Sequence, residues 1–331
     1  NYNLKANGAS INTASATASY AFNHTNITGN QNYELEVTQG TTTIVKKFTA
    51  VVSPTVVSET IPAGLVDGIN YNPNDATKAT LVLDAPLKDF VYVAGSFNNW
   101  QPTAAYAMKK DATAGSTKFW LELTGLTAGT NYTYQYWVVD QTPLAGSPSL
   151  VKAADPYSTL VLSPYDDGGI PATSFPNLPA YPSGQEREVT WFKTGQTPYA
   201  WSQATLNFVK PAKEKLVVYE VLVRDFDAKR NFQDLIDKID YFKNLKVNAI
   251  QLMPVMEFEG NESWGYNTSF HMALDKFYGT PEKLKELIDL YHQNGIAVIL
   301  DVALNHAFGR NSMVRMWMND PDGDGFGSPT T

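Results

Sequence analysis

Apolar and polar residues alternate with a period of two through the first part of the chain. Such alternation is typical of strands that bury one face. Around the turn Gln39-Gly40, the apolar positions that share a face are Tyr33, Leu35 and Val37 on one side and Phe48, Ala50 and Val52 on the other. We therefore predict a small β-module over residues 1–54.

A second set of alternating patterns occupies residues 55–175. Its clearest strand patterns are "KATLVLD", "DFVYVAG", "KFWLEL" and "NYTYQYWVV", and the turn-rich segments between them have lengths common in β-sandwiches. We predict a β-sandwich here. Residues 176–211 are rich in proline and aromatic residues without a clear period, which predicts a linker lying along the next domain.

After Lys213 the pattern changes to continuous apolar runs that alternate with helical spacing. The runs are "LVVYEVLV", "AIQLMPV" and "IAVILDV", which predict parallel strands covered on both sides. Asn231 is placed to cap the first intervening helix. The second helix has Thr280 as its cap, Pro281 at its first position and Gly295 at its end.

Two parallel α/β designs fit this order of elements, an open doubly wound sheet and a closed eight-stranded barrel. A nucleotide-binding sheet needs a glycine-rich turn after its first strand, whereas this chain has "RDFDAKRNF" there. We predict a multidomain chain in which β-sandwich modules are followed by the first part of a (β/α)8 TIM barrel. That part covers residues 212–331 and contains three β/α units. Because three units cannot close such a barrel, we expect a longer polypeptide, or a second chain that supplies the rest.

Composition narrows the classes of partner. The chain has 331 residues, a net charge of −8 and no cysteine. No cluster of Lys and Arg is found, so nucleic acid and anionic membrane surfaces are excluded as expected partners. No apolar run approaches the roughly 20 residues that cross a bilayer, and thiol chemistry is excluded. A neutral substrate fits best.

Polar and aromatic residues follow each predicted parallel strand, where barrel enzymes place their chemistry. They are Arg224, Asp225 and Asp227 after the first strand, Glu257, Glu259, Trp264 and Tyr266 after the second, and Asp301, Asn305 and His306 after the third. Carboxylates, aromatic rings and a histidine around one mouth suit carbohydrate chemistry.

The segment "WGYNTSFHMALDKFYGTPEKLKELIDLYHQNGIAVILDVALNHAFG" closely resembles the start of the catalytic barrel in the α-amylase superfamily, glycoside hydrolase family 13. The D-V-x-x-N-H signature of that family stands here as Asp301, Val302, Asn305 and His306, and "YEVLVRDF" resembles its first strand. Upstream, "VYVAGSFNNWQP" and "YTYQYWVVD" resemble a family 48 carbohydrate-binding module. Trp100 falls at the sugar-stacking position of that module, and Gln135 stands where a sugar-contacting Lys is often found.

The resemblance implies a retaining mechanism with an Asp nucleophile and a Glu acid on later strands, so both are expected beyond Thr331 and no catalytic residue is assigned in this chain. Supporting roles do transfer. Tyr266 would stack on the reacting sugar, with Trp264 beside it, and His306 would bind sugar hydroxyls. Asp301 would orient a downstream Arg.

Calcium is the one inorganic group that the sequence suggests, and no organic cofactor is implied. Asn305 would supply a structural calcium ligand according to the family resemblance. Separately, Asp320, Asp322 and Asp324 match the first half of an EF-hand-like loop, although its twelfth position is Thr331 rather than Glu. An acidic turn is the alternative interpretation.

The expected function is hydrolysis or transfer at α-1,4 or α-1,6 bonds of an α-glucan polysaccharide or oligosaccharide. The sequence does not separate branching, debranching, cyclodextrin-hydrolysing and trehalose-forming types, nor does it give the oligomeric state. One alternative is a non-catalytic glucan-binding or scaffold protein that retains the fold. Another is that the β-modules bind protein or a cell surface. A secreted, periplasmic or cell-surface location is expected from the Thr- and Asn-rich modules and the polymeric substrate.

Overall fold

The computed structural model describes residues 1–320 and the short strand Ser328–Pro329. Its first module is an antiparallel sheet in the order β2-β1-β3-β4, with β1 (Tyr2–Ala6), β2 (Ala9–Ala14), β3 (Gln31–Gln39) and β4 (Thr42–Ala50). The predicted hairpin is confirmed, because β3 and β4 pair across a turn at Gly40, where φ is +59°. Tyr33 lies opposite Phe48, and their rings stack at 4.9 Å between centroids.

The second module contains two antiparallel sheets. Its strands are β5 (Gly68–Tyr71), β6 (Ala79–Asp84), β7 (Phe90–Gly95), β8 (Lys109–Lys110), β9 (Lys118–Leu123), β10 (Tyr132–Val139), β11 (Leu150–Ala153), β12 (Val161–Leu162) and β13 (Val189–Phe192). One sheet has the order β5-β6-β9-β8, and the other is β11-β10-β13-β12 with β7 also paired to β10. Both sheets contribute to one core cluster, in which Leu81 and Leu121 meet Val93, Tyr134 and Tyr136.

The predicted linker over residues 176–211 is wrong in part. Strand β13 lies inside it and pairs with both β10 and β12, with Val189 and Phe192 fully buried. Four residues are too few to show a period, and the surrounding proline and glycine residues hide the alternation. The short helix α1 (Gln203–Leu206) follows, capped by Ser202, whose side chain also donates to Asp289 at 2.6 Å.

The third segment begins with β14 (Val218–Val221), α2 (Val223–Phe226), α3 (Phe232–Asp237) and α4 (Ile239–Asn244). It continues with β15 (Ala249–Leu252), β16 (Met256–Phe258), β17 (Thr268–Leu274), α5 (Pro281–Gln293), β18 (Ala297–Leu300), α6 (Ser312–Met316), β19 (Met318–Asn319) and β20 (Ser328–Pro329). Strands β14, β15 and β18 form a parallel sheet, as predicted. Asn231 caps α3 and Thr280 caps α5, and Gly295 follows α5 with φ +71°.

The parallel sheet is covered on one side. Phe232, Leu287 and Tyr291 from the helices pack against Ile250 and Leu252. On strands β14 and β18, Val218 is 43% exposed and Leu300 is 45% exposed. The prediction of cover on both sides is therefore wrong within residues 1–320, since the elements described there pack against only one face.

A hairpin that was not predicted from the sequence follows β15. Strands β16 and β17 pair antiparallel, with two shifts of register. Those irregularities interrupt the alternation of apolar and polar residues, which explains why the strands were missed. The hairpin projects from the carboxyl end of the parallel sheet, and its loop over residues 259–267 carries Trp264 and Tyr266.

Candidate functional site

The tip of the hairpin presents two aromatic side chains to solvent. Trp264 is 63% exposed and Tyr266 is 37% exposed. Gly265 between them has φ +90°, and a Cβ at this position would collide with the carbonyl oxygen of Pro254. Glycine is therefore required here, because its backbone passes close to Pro254 and so fixes where both rings stand.

Tyr266 and Asp301 meet in the structure. The hydroxyl of Tyr266 donates a hydrogen bond to Oδ2 of Asp301 at 2.7 Å. This bond, together with burial and the charge of Asp301, raises the pKa of Tyr266 to about 12, so the phenol keeps its proton at neutral pH. Asp301 follows β18 directly, and the bond therefore joins the hairpin loop to the end of the parallel sheet.

His306 lies in the exposed segment after β18. Its backbone carbonyl contacts Nε2 of His271 at 3.0 Å, and the amide of Phe308 donates to the carbonyl of Thr268 at 3.0 Å. Both bonds attach this segment to β17. The loop that bears His306 is thus held by the same hairpin that bears Tyr266.

The polar residues after β14 engage one another. Arg224 Nε donates to Oδ1 of Asp225 at 2.8 Å, and this bond is the main reason that the pKa of Asp225 is lowered. The pKa of Asp227 is lowered mainly because its carboxylate accepts the backbone amide of Ala228. These carboxylates stay ionised, and none is set up as a proton donor.

Trp100 belongs to a different place, a cleft of about 500 Å³ between the first and second modules. Asn99 and Trp100 both have left-handed backbones, with φ of 53° and 58°. Two such residues in succession are uncommon for side chains other than glycine. Phe48 and Trp137 also line the cleft. Gln135 does not belong to it, because its buried amide donates to the carbonyls of Glu186 and Glu188 at 2.8 and 2.7 Å.

Two of the four predicted calcium residues, Asn305 and Asp320, lie in the described part of the chain. Asn305 is exposed and Asp320 is half-buried, while Asp322 and Asp324 lie outside the described residues. Among the residues that the structure describes, no group of three or more His, Asp or Glu side chains could hold a metal ion.

A buried ionic cluster that was not predicted from the sequence lies beside the hairpin. Lys276 is 1% exposed and pairs with Glu257 and with Asp167, whose Oδ1 lies 3.4 Å from Nζ. Burial raises the pKa of Glu257 to about 7, although the charge of Lys276 opposes the rise. Glu257 is 5% exposed and pairs with Lys276 through Oε1, so its carboxylate faces the buried cluster rather than the solvent.

Comparison with known protein families concerns the segment that contains the parallel sheet and the hairpin. The α-amylase catalytic domain model matches residues 224–321. The chain is 40% identical over 100 residues to malto-oligosyltrehalose trehalohydrolase of Saccharolobus solfataricus, covering 30% of this chain and 18% of that protein. It is 27% identical over 219 residues to the 1,4-α-glucan branching enzyme of Corynebacterium diphtheriae, covering 66% of this chain and 26% of that enzyme. The chain thus spans about a fifth to a quarter of these relatives.

Solved structures share the fold over most of the chain. The pullulanase SAP of Group B Streptococcus, solved with maltotetraose, matches with a TM-score of 0.52 and 20% identity over 82% of this chain and 36% of that one. Pullulanase from Paenibacillus barengoltzii matches with a TM-score of 0.53 and 20% identity over 75% of this chain and 38% of that one. At such identities the likeness establishes an amylase-like fold. Residues 224–321 thus match the α-amylase catalytic domain and are similar to the corresponding part of these glucan-active relatives.

Proposed function

We propose that this chain is part of an α-glucan-active enzyme that cleaves or transfers α-1,4 or α-1,6-glucosidic bonds with retention. The observation that carries the proposal is the Tyr266–Asp301 bond, which places an aromatic ring at the mouth of the parallel strands within the matched family segment. An aromatic face there can stack on a sugar ring and stabilise a developing positive charge.

Each candidate residue has a separate proposed role. Tyr266 stacks on the reacting sugar, and Asp301 holds its hydroxyl so that the ring keeps one orientation. Trp264 extends the aromatic surface, and His306 donates to or accepts from sugar hydroxyls. The carboxylate nucleophile and the carboxylic acid of the retaining mechanism lie on later strands, beyond Thr331.

The same proposal includes a closed barrel. The exposed side chain of Val218 lies on strand β14, and β14 and β18 are the outer strands of the parallel sheet. Further β/α units would extend this sheet and cover its open face. The proposed architecture of the chain is therefore β-sandwich modules followed by the first three units of a (β/α)8 barrel.

Purified full-length protein, including the later strands that carry the nucleophile and the acid, should release reducing sugar from soluble starch or glycogen, or change the branching of these glucans without releasing it. Either result supports glycoside hydrolase family 13 chemistry, because both reactions pass through the same glycosyl intermediate. Binding of maltotetraose without turnover of any α-glucan would instead identify a non-catalytic glucan-binding protein. If the protein neither binds maltotetraose nor turns over any α-glucan, the proposal is rejected.

We also propose that the second module is of the family 48 carbohydrate-binding type, with Trp100 as its sugar platform. The observation in favour is the strained backbone at Asn99 and Trp100, which turns the indole toward the cleft beside Phe48. Trp100→Ala is expected to reduce retention on immobilised amylopectin at least fivefold. Unchanged retention would remove Trp100 from glucan binding, and Tyr71→Ala, another partly exposed ring of the same module, serves as the control.

The proposal also covers a structural calcium ion and the cellular location of the protein. A structural calcium ion held by Asn305 or by Asp320, Asp322 and Asp324 stays a prediction, and no step of the reaction is assigned to it. A secreted, periplasmic or cell-surface location suits a polymeric substrate. In the described part of the chain, no helix combines the length and apolar character needed to cross a membrane.

A further inference from the structure

One turn of the second module contacts the loops that carry the candidate sugar-binding residues. This turn, residues 163–170, is stiffened by its own hydrogen bonds. The amide of Ser163 donates to Oδ2 of Asp167 at 2.9 Å, and the amide of Gly169 donates to the carbonyl of Asp166 at 3.0 Å. A short 3-10 helix, Asp167–Gly169, ends it. The turn therefore offers fixed groups to its neighbours.

The first contact is with the loop 259–267, which carries Trp264 and Tyr266. Nδ2 of Asn261 in this loop donates to the backbone carbonyl of Asp166 at 2.9 Å. A side chain of the hairpin tip is thereby bonded to the main chain of another module.

The second contact is with the segment 301–310, which carries Asp301 and His306. Nη1 of Arg310 pairs with Oδ2 of Asp166, and both side chains are less than one-fifth exposed. The Arg310 guanidinium also lies 4.4 Å from the centre of the Tyr165 ring. Its backbone amide donates to Oε1 of Glu259 at 2.8 Å, so Arg310 joins the turn to both loops.

The third contact lies beneath the hairpin. Nζ of Lys276, which follows β17, is 3.4 Å from Oδ1 of Asp167 and also pairs with Glu257 of β16. Asp166 and Asp167 thus engage three separate points of the amylase-type segment. Partly buried charge-assisted pairs of this kind hold geometry more strictly than exposed ones.

We propose that the 163–170 turn of the second module positions the two sugar-binding loops, with Asp166 and Arg310 as the positioning residues. This turn then acts on the reaction without itself touching substrate, because it sets where Tyr266 and His306 stand. This role rests on the proposed function of those two residues. Small displacements of groups that orient a substrate reduce binding and turnover strongly.

The first test is amide hydrogen exchange of the intact protein and its Asp166→Asn variant. We expect at least tenfold faster exchange in peptides covering 259–267 and 304–311, with unchanged exchange in helix α5. Asn261→Ala, which removes the contact from the opposite side, should accelerate exchange in 259–267 as well. The matched control is Asp237→Asn at the end of helix α3, which removes an exposed ion pair with Lys229. This variant should leave the exchange rates of both loops unchanged.

The second test is the affinity for maltotetraose by calorimetry. Asp166→Asn and Arg310→Met should weaken binding about tenfold, whereas Arg310→Lys should stay within threefold because it keeps the charge opposite Asp166. Unchanged loop exchange, a uniform rise over all peptides, or equal losses for Arg310→Met and Arg310→Lys would each overturn the positioning role. If the unmodified protein binds no maltotetraose, the proposed function fails, and the exchange result alone decides whether the turn positions the loops.

Discussion

Lys276→Met is expected to destabilise the protein by about 3–5 kcal/mol at pH 8. Lys276 is buried with Glu257 and Asp167 around it, and methionine fills similar space without a charge. Removal of the cation leaves carboxylates without their partner in a site that water does not reach. Urea unfolding followed by fluorescence measures the loss, provided that both proteins show the same slope against denaturant.

The free energy of unfolding that Lys276→Met loses should become smaller as the pH falls. The pKa of Glu257 is raised in the folded protein to about 7, above its ordinary value of 4.5, so the folded state holds a proton that the unfolded state releases between these values. Stability therefore falls as pH rises through this window. Without Lys276 the pKa of Glu257 rises further, and the fall continues above pH 7.

At pH 5 Glu257 is protonated with or without Lys276, so its titration should make the loss smaller than at pH 8 by about 1.4 kcal/mol, the equivalent of the one pH unit above 7. The carboxyls of Asp167 and Asp275, which face the same cluster, act in the same direction because burial raises the pKa of each. Lys229→Met removes an exposed pair with Asp237 and should leave the unfolding midpoint unchanged. Equal losses for Lys276→Met at pH 5 and pH 8 would contradict the account.

Local signals in the sequence predicted where helices α3 and α5 begin, whereas the single helix expected after Asn231 is divided at Lys238 into α3 and α4. Asn231 and Thr280 cap helices because a side-chain oxygen accepts a nearby backbone amide, and both partners lie within a few residues. The three parallel strands were also predictable, since each is a continuous apolar run between helical patterns. Such features depend only on the neighbouring sequence.

Features that depend on distant partners were missed. Strand β13 exists because β10 and β12 pair with it, and four residues show no period of their own. The Lys276 cluster joins residues from two modules, so nothing near Lys276 identifies Asp167 as its partner. For the candidate site, the family resemblance identified Tyr266 and Asp301, but only the structure shows that they are bonded to each other.

Tyr266→Ala is expected to lower kcat/KM on maltooligosaccharides by about 30- to 100-fold, which corresponds to about 2–3 kcal/mol of lost transition-state stabilisation. The substitution removes the aromatic face against which the reacting sugar stacks and leaves Asp301 without its donor. Tyr266→Phe keeps the ring and loses only the hydrogen bond, so its loss should be near tenfold, the low end of the range for one hydrogen bond to a charged group. The ratio between these variants separates stacking from orientation.

Stability must be unchanged for this comparison to hold, and the 37% exposure of Tyr266 favours that outcome. Tyr157→Ala, which truncates a comparably exposed tyrosine of the second module, should leave kcat/KM as it was. Equal losses for Tyr266→Ala and Tyr266→Phe would assign the effect to the bond with Asp301 rather than to the ring. No loss for either variant would place the reacting sugar away from the hairpin loop, and Tyr266 would then serve only to join β18 to the hairpin.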